Sequence, residues 1–238
     1  MLGVLGGMGP LATADFFNKL LALTPAQCDE DHVPVLLLSD PRIPRRPAAI
    51  LDGSESPLPR LRELRDRLVE AGATFLAMPC NTAHHWYPQL AADCPVPFLS
   101  IVDAGVAALA ELQPAPPPGA PVALLATDAT LAARVYDAPL AAAGYTVMLP
   151  KPDEQRDRVL PAIAQVKAGQ TRSAAALMVP VVDALLARGA GAVLLACTEL
   201  PLALDAVASP LRTRCVDTSA ALARRCIAHW HARPTNPG

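Results

Sequence analysis

The amino-acid sequence predicts an α/β protein of two similar lobes, each a parallel sheet flanked by helices. The lobes read as an internal duplication with the site between them. Three observations carry this expectation. Short apolar runs alternate with helix-length amphipathic stretches along the whole chain, the pattern of repeated parallel βα units. Two segments 117 positions apart, 72–82 and 189–199, share a Gly-Ala lead, an apolar run and a cysteine eight residues after the glycine. Residues 114–121 carry five prolines near the midpoint. Such a stretch cannot sit inside a helix or a sheet, so it reads as a loop or linker.

The elements follow in order. A first strand at 2–5 runs into Gly6-Gly7-Met8-Gly9-Pro10, whose glycines let the backbone approach a ligand. Pro10 suits the first turn of a helix over 11–23. The turn lacks the GxGxxG spacing of a dinucleotide site, and no GK[ST] follows it. A second strand at 33–38 ends in a loop where Arg42, Arg45 and Arg46 stand among Pro41, Pro44 and Pro47, a stiffened lid for an anionic ligand. In the next helix, 58–71, Arg60, Arg62, Arg65 and Arg67 alternate with Glu63 and Asp66 and read as a solvated face. Strands at 75–78 and 97–102 complete the first half. The second half carries strands at 122–126, 145–149, 192–196 and 213–216, and helices at 131–143, 174–188 and 220–230. Residues 1–102 plus 211–238 are expected to form the N-terminal lobe, with a returning C-terminal helix, and 103–210 the second lobe. The tail from 233 to 238 is expected to fray.

Composition excludes several classes. In 238 residues, 52% are hydrophobic and 18% charged, with net charge −2, so nothing draws the chain to nucleic acid or an anionic membrane. No uninterrupted apolar segment is long enough for a membrane-spanning helix, and the N-terminus lacks a signal peptide's basic start. Six cysteines without dense spacing fit reduced thiols in the cytoplasm rather than a disulfide scaffold. Cys80 followed by His84 and His85 lacks a second ligand pair at zinc spacing, so no metal is expected.

Cys80 and Cys197 carry the chemistry. Each follows a buried parallel strand, and in open α/β sheets ligands bind beyond those strand ends. A helix N-terminus there is expected to lower a thiol's pKa from about 8.5. Asn81, Thr82 and Thr198 add hydrogen-bonding groups suited to a carboxylate. A lone cysteine is ordinarily a small buried hydrophobe; two in matched positions of a duplicated lobe are better read as one base on each side of a carbon atom. Of the three lysines, Lys19 reads as lying on a polar helix face, Lys151 in an exposed loop and Lys167 at a helix C-terminus. No lysine stands at a strand end in a phosphate-binding pattern, as a pyridoxal site would place it.

At these residues the chain resembles the aspartate/glutamate racemase family, and most its aspartate racemase branch. The resemblance rests on Gly6 through Ala14, Met78 through His84, Leu124 through Thr127, Val166 through Gly169 and Cys197 through Glu199, in the family's order. It implies a two-lobed, cofactor-independent amino-acid racemase for aspartate or glutamate, usually a homodimer, with Cys80 and Cys197 as catalytic acid/base groups. It further implies a substrate site lined by Met8, Asn81, Thr82, Ala83, Thr127 and Thr198, with Thr130 in the same loop as Thr127. Arg46 and Lys167 would meet the substrate's acidic side chain, and Glu199 would tune the second cysteine. Pro47 stands where that branch carries a smaller polar residue. Related readings are an enzyme of the hydantoin racemase, maleate isomerase or malonate decarboxylase type, or a non-catalytic amino-acid-binding protein. A thiol redox protein would want Cys-x-x-Cys, which does not occur.

Overall fold

The computed structural model describes residues 1–232; the tail expected to fray lies outside the described residues. The first half comprises β1 (Leu2–Gly6), α1 (Pro10–Leu23), β2 (Val35–Ser39), α2 (Arg46–Leu51), α3 (Leu58–Glu70), β3 (Phe75–Ala77), α4 (Tyr87–Ala91), β4 (Phe98–Leu99) and α5 (Ile101–Ala107). The second comprises β5 (Pro121–Leu125), α6 (Asp128–Ala133), α7 (Asp137–Ala142), β6 (Thr146–Met148), α8 (Pro152–Glu154), α9 (Leu160–Lys167), α10 (Thr171–Ala187), β7 (Ala192–Leu195), α11 (Leu200–Asp205), β8 (Cys215–Asp217) and α12 (Thr218–His231).

Two four-stranded parallel sheets result, ordered β2-β1-β3-β4 and β6-β5-β7-β8. The shared order is the duplication seen in three dimensions. β3, which leads to Cys80, lies between β1 and β4, and β7, which leads to Cys197, lies between β5 and β8. Burial on both faces accounts for the unbroken apolar runs that mark these strands. One core joins the lobes: Leu2, Val4, Phe75 and Ala77 of the first sheet share it with Val122, Leu124, Ala192 and Leu194 of the second. Phe16, Leu20, Ile101, Leu222 and Cys226 fill the space between. Each such large side chain stabilises the fold by about 1.5–3 kcal/mol on full burial.

Several expectations are corrected. Residues 211–217 do not join the N-terminal lobe, because β8 pairs with β7 (Leu195 opposite Asp217) and supplies the second sheet's fourth strand. Only α12 returns, packing on α1 and α5. The helix expected over 131–143 breaks at Arg134, whose φ is 53°, and the break turns Tyr136 into the shared core. The run 97–102 extends only briefly, since Ser100 caps α5 by accepting the Asp103 N–H. Arg65 is buried, not solvated; it donates to the Leu90 carbonyl at 2.7 Å and pairs with Asp66 and Asp93. Lys19 leaves its polar face for a largely buried bridge between Asp15 at 2.5 Å and Asp217 at 2.8 Å, tying α1 to the second sheet.

Candidate active site

The turn after β1 presents Met8. It needs glycine twice: a Cβ on Gly6 would lie 2.3 Å from Thr13 Cγ2, and Gly7 has φ +96° with its missing Cβ against the Asp40 backbone. Thr13 Oγ1 accepts the Gly7 N–H and donates to the Gly9 carbonyl, each at 2.9 Å, so the turn is stitched to α1. The turns after β3, β5 and β7 converge on the same point. Met8, Arg46, Cys80, Asn81, Thr82, Thr127, Lys167, Cys197, Thr198 and Glu199 line one small cleft of about 40 Å³, together with Pro47 and Ala196. A wider depression of about 300 Å³ behind the Cys80 turn holds neither thiol.

Of the residues singled out in the sequence, two stand behind the lining. Ala83 is fully buried, and its N–H favours thiolate at the Cys80 sulfur. Thr130, 1% exposed, joins a threonine cluster across the lobes: Thr82 Oγ1 lies 2.8 Å from Thr130 Oγ1 and 3.3 Å from Thr127 Oγ1. Asn81 turns its side chain away as well. Its Nδ2 donates to Thr218 Oγ1 at 3.2 Å, and its Oδ1 accepts from Tyr136 at 2.5 Å. Thr218 in turn donates to the Leu195 carbonyl at 3.0 Å, just before Cys197. These buried bonds couple the two strand ends. Sequence reasoning missed Tyr136 and Thr218. Thr218 carries a usable signal, polar residues directly after an apolar strand, whereas nothing local marks Tyr136.

Both thiols are 6% exposed, and burial pushes both above the ordinary cysteine value, against the lowering expected from a helix N-terminus. The short turns that follow supply individual N–H groups rather than a long helix's field. For Cys80, the Arg46 charge and the Ala83 N–H oppose burial, while Glu199 reinforces it. For Cys197, the Glu199 carboxylate adds to burial: the thiol donates to Glu199 Oε2 at 3.1 Å, alongside Thr198 Oγ1 at 3.2 Å. Lys167 Nζ sits 3.8 Å from Glu199 Oε1 and favours thiolate at both cysteines. The site is therefore asymmetric. Cys197 is held as a hydrogen-bond donor, and Cys80 faces the guanidinium.

Of the three loop arginines, only Arg46 reaches the cleft. Its Nη1 donates to the Ile43 and Pro44 carbonyls at 3.0 Å, which closes the loop, while Arg42 pairs with Asp40 and Arg45 is exposed. His84 is buried behind Cys80 and His85 is exposed. Among the described residues no group of three or more His, Cys, Asp or Glu is placed to hold a metal, and no helix is long and apolar enough to cross a membrane.

Comparison with known proteins bears on the family and the fold. The family model for Asp/Glu/Hydantoin racemase matches residues 5–226. The broad specificity amino-acid racemase RacX of Bacillus subtilis (strain 168) is 27% identical over 98% of this chain and 99% of its own length. The solved Picrophilus torridus aspartate racemase matches with TM-score 0.82 at 31% identity, covering 98% of this chain and 94% of that one. The Francisella tularensis glutamate racemase in complex with D-glutamate shares the fold, with TM-score 0.69 at 16% identity over 97% of this chain and 80% of that one. Matched strand ends, a matched family model and matched folds converge: the chain belongs to the Asp/Glu/hydantoin racemase family.

Proposed function

We propose that the protein interconverts the L and D forms of an acidic amino acid, aspartate or glutamate, without a cofactor, through Cys80 and Cys197. The observation that carries this reading is that both thiols, from equivalent strand ends of the two lobes, meet at one small cleft with Arg46 and Lys167. Racemisation removes a proton from Cα on one face and delivers another on the opposite face, so it needs two acid–base groups. In one direction Cys80 is the thiolate, favoured by Arg46 and the Ala83 N–H. It takes the Cα proton and becomes a thiol. Cys197, already donating a hydrogen bond to Glu199, gives its proton to the other face and becomes thiolate. The roles exchange for the other enantiomer.

Burial makes either thiolate costly, and the substrate's own ammonium group offsets part of that cost by placing a positive charge beside the sulfurs. Threonine hydroxyls and cations around the carboxylates stabilise charge that develops on the substrate in the transition state. The same proposal carries a homodimer, read by light scattering.

A second reading is a wider side-chain range. The name of the B. subtilis relative supports it, as do Pro47 as an apolar wall and the partial engagement of Arg46 by its own loop. The test is chiral chromatography of L-aspartate, L-glutamate, L-alanine and L-serine after incubation with chelator-dialysed protein and no additive. Faster racemisation of aspartate or glutamate is expected. Faster turnover of the neutral pair selects the second reading, and a rate restored only by pyridoxal phosphate or zinc overturns the mechanism.

A further inference from the structure

The two strand-end turns meet one hydrogen-bonding requirement in different ways. After β7, the Cys197 carbonyl accepts the Leu200 N–H at 3.0 Å, an ordinary bond to the third residue on, and the Glu199 N–H favours thiolate at the sulfur. After β3, the N–H three residues on belongs to Ala83; it makes no bond to the Cys80 carbonyl and acts on the sulfur, favouring thiolate. The Cys80 carbonyl is taken by His84 Nδ1 at 2.8 Å. On the far side of the ring, Nε2 lies 3.0 Å from the Ile101 N–H at the start of α5 and accepts from it. A ring that donates through Nδ1 and accepts through Nε2 is a neutral imidazole. Burial keeps it so, pushing His84 down to about 4. The ring stacks on Tyr87 with centroids 5.1 Å apart, and the Tyr87 hydroxyl donates to the Phe98 carbonyl at 2.5 Å.

We propose that His84 is a positioning residue for Cys80: by holding the Cys80 carbonyl it leaves the Ala83 N–H to the sulfur, and by accepting from Ile101 it anchors the turn to α5. His84 lies outside the cleft lining and acts through Cys80. The duplication makes the point sharper, because the second lobe satisfies its cysteine carbonyl with backbone alone and has threonine-glutamate-leucine-proline where the first has asparagine-threonine-alanine-histidine.

The inference rests on the reading of Cys80 as an acid–base group, and its test includes a measurement that does not require turnover. Three variants separate the two bonds. His84→Asn keeps a donor near the Nδ1 position, His84→Gln places its amide farther out near Nε2, and His84→Leu removes both. Each is assayed for kcat and KM with L-aspartate, and for the rate of iodoacetamide alkylation at every cysteine by peptide mass spectrometry. His84→Leu is expected to lower kcat about tenfold to a hundredfold with KM nearly unchanged, the pattern of a misplaced acid–base group. Cys80 alkylation should slow relative to Cys197, because the thiolate loses a donor. His84→Asn should restore both readouts and His84→Gln should not. A wild-type ratio of Cys80 to Cys197 alkylation in His84→Leu, or rescue by glutamine equal to that by asparagine, overturns the proposal. Should His84→Leu fail to fold, the asparagine–glutamine pair decides. Should the wild type leave L-aspartate unchanged, the racemase reading fails separately and the alkylation ratio still decides the role of His84.

Discussion

Acidification should weaken this fold through His84, by an amount that can be worked out. The ordinary imidazole value is 6.5, and burial pushes this ring to about 4. Between those values the unfolded chain binds a proton that the folded protein refuses, so stability falls as pH falls. The contribution is fully present above about pH 6.5 and is lost as pH drops through about 4. With about 1.4 kcal/mol for each pKa unit, the loss from pH 7.5 to pH 5 is about 2 kcal/mol, reaching about 3 kcal/mol at pH 4. Structure supplies the reason: a proton on Nε2 would set two donors, ring N–H and Ile101 N–H, against each other at 3.0 Å. Urea unfolding of wild type and His84→Asn at both pH values isolates the effect, because the carboxylates common to both proteins cancel. The core shared between the lobes favours one cooperative transition. Wild type should lose about 2 kcal/mol more than the variant. Equal losses in the two proteins, or a His84 ring proton that titrates between pH 6 and 7 by NMR, would refute the reasoning.

Three further outcomes are expected. Cys80→Ala and Cys197→Ala should each slow interconversion at least about a hundredfold, the usual worth of a positioned acid–base group. In deuterium oxide each should still exchange the Cα proton of one enantiomer, and full racemisation by either single variant would end the two-base assignment. Arg46→Ala and Lys167→Ala should reduce kcat/KM for aspartate and glutamate about tenfold more than for alanine and serine, since an unpaired buried carboxylate costs several kcal/mol. Equal losses on all four substrates would move these cations to a general role. Lys19→Met should destabilise by about 3 kcal/mol, because a buried pair broken on one side leaves Asp15 and Asp217 uncompensated. Adding Asp15→Asn should recover part of it, and a thermal-melting loss equivalent to under about 1 kcal/mol would mean that Arg212, 3.2 Å from Asp217, suffices.

Local pattern carries the framework and the placement of the two strand-end cysteines. Apolar runs locate all eight strands of the described residues to within a few positions; β1, β3, β7 and β8 are buried on both faces and tolerate little but apolar side chains, while the edge strands β2 and β6 keep the apolar run though partly exposed. The repeated Gly-Ala to cysteine spacing places Cys80 and Cys197 at equivalent strand ends, and the sheets obey it with the same strand order. Most residues singled out for the cleft do line it, since short turns after neighbouring parallel strands open on one edge.

Partnership and burial belong to the tertiary structure alone. Arg65 and Lys19 look solvated in a helical pattern, yet one meets the Leu90 carbonyl and the other Asp217, partners that only folding brings near. Tyr136 joins the site because a helix breaks at Arg134, and Asn81 turns from the cleft because Tyr136 and Thr218 hold both ends of its amide. The thiol energetics reverse for the same reason. A strand-end position promises a lowered pKa, but enclosure between two lobes removes water from both sulfurs and raises it, leaving Arg46, Lys167 and single N–H groups to offset the cost. Sequence periodicity determines where the two thiols sit; the depth of their burial, a sum over residues distant in the chain, decides how readily each gives up its proton.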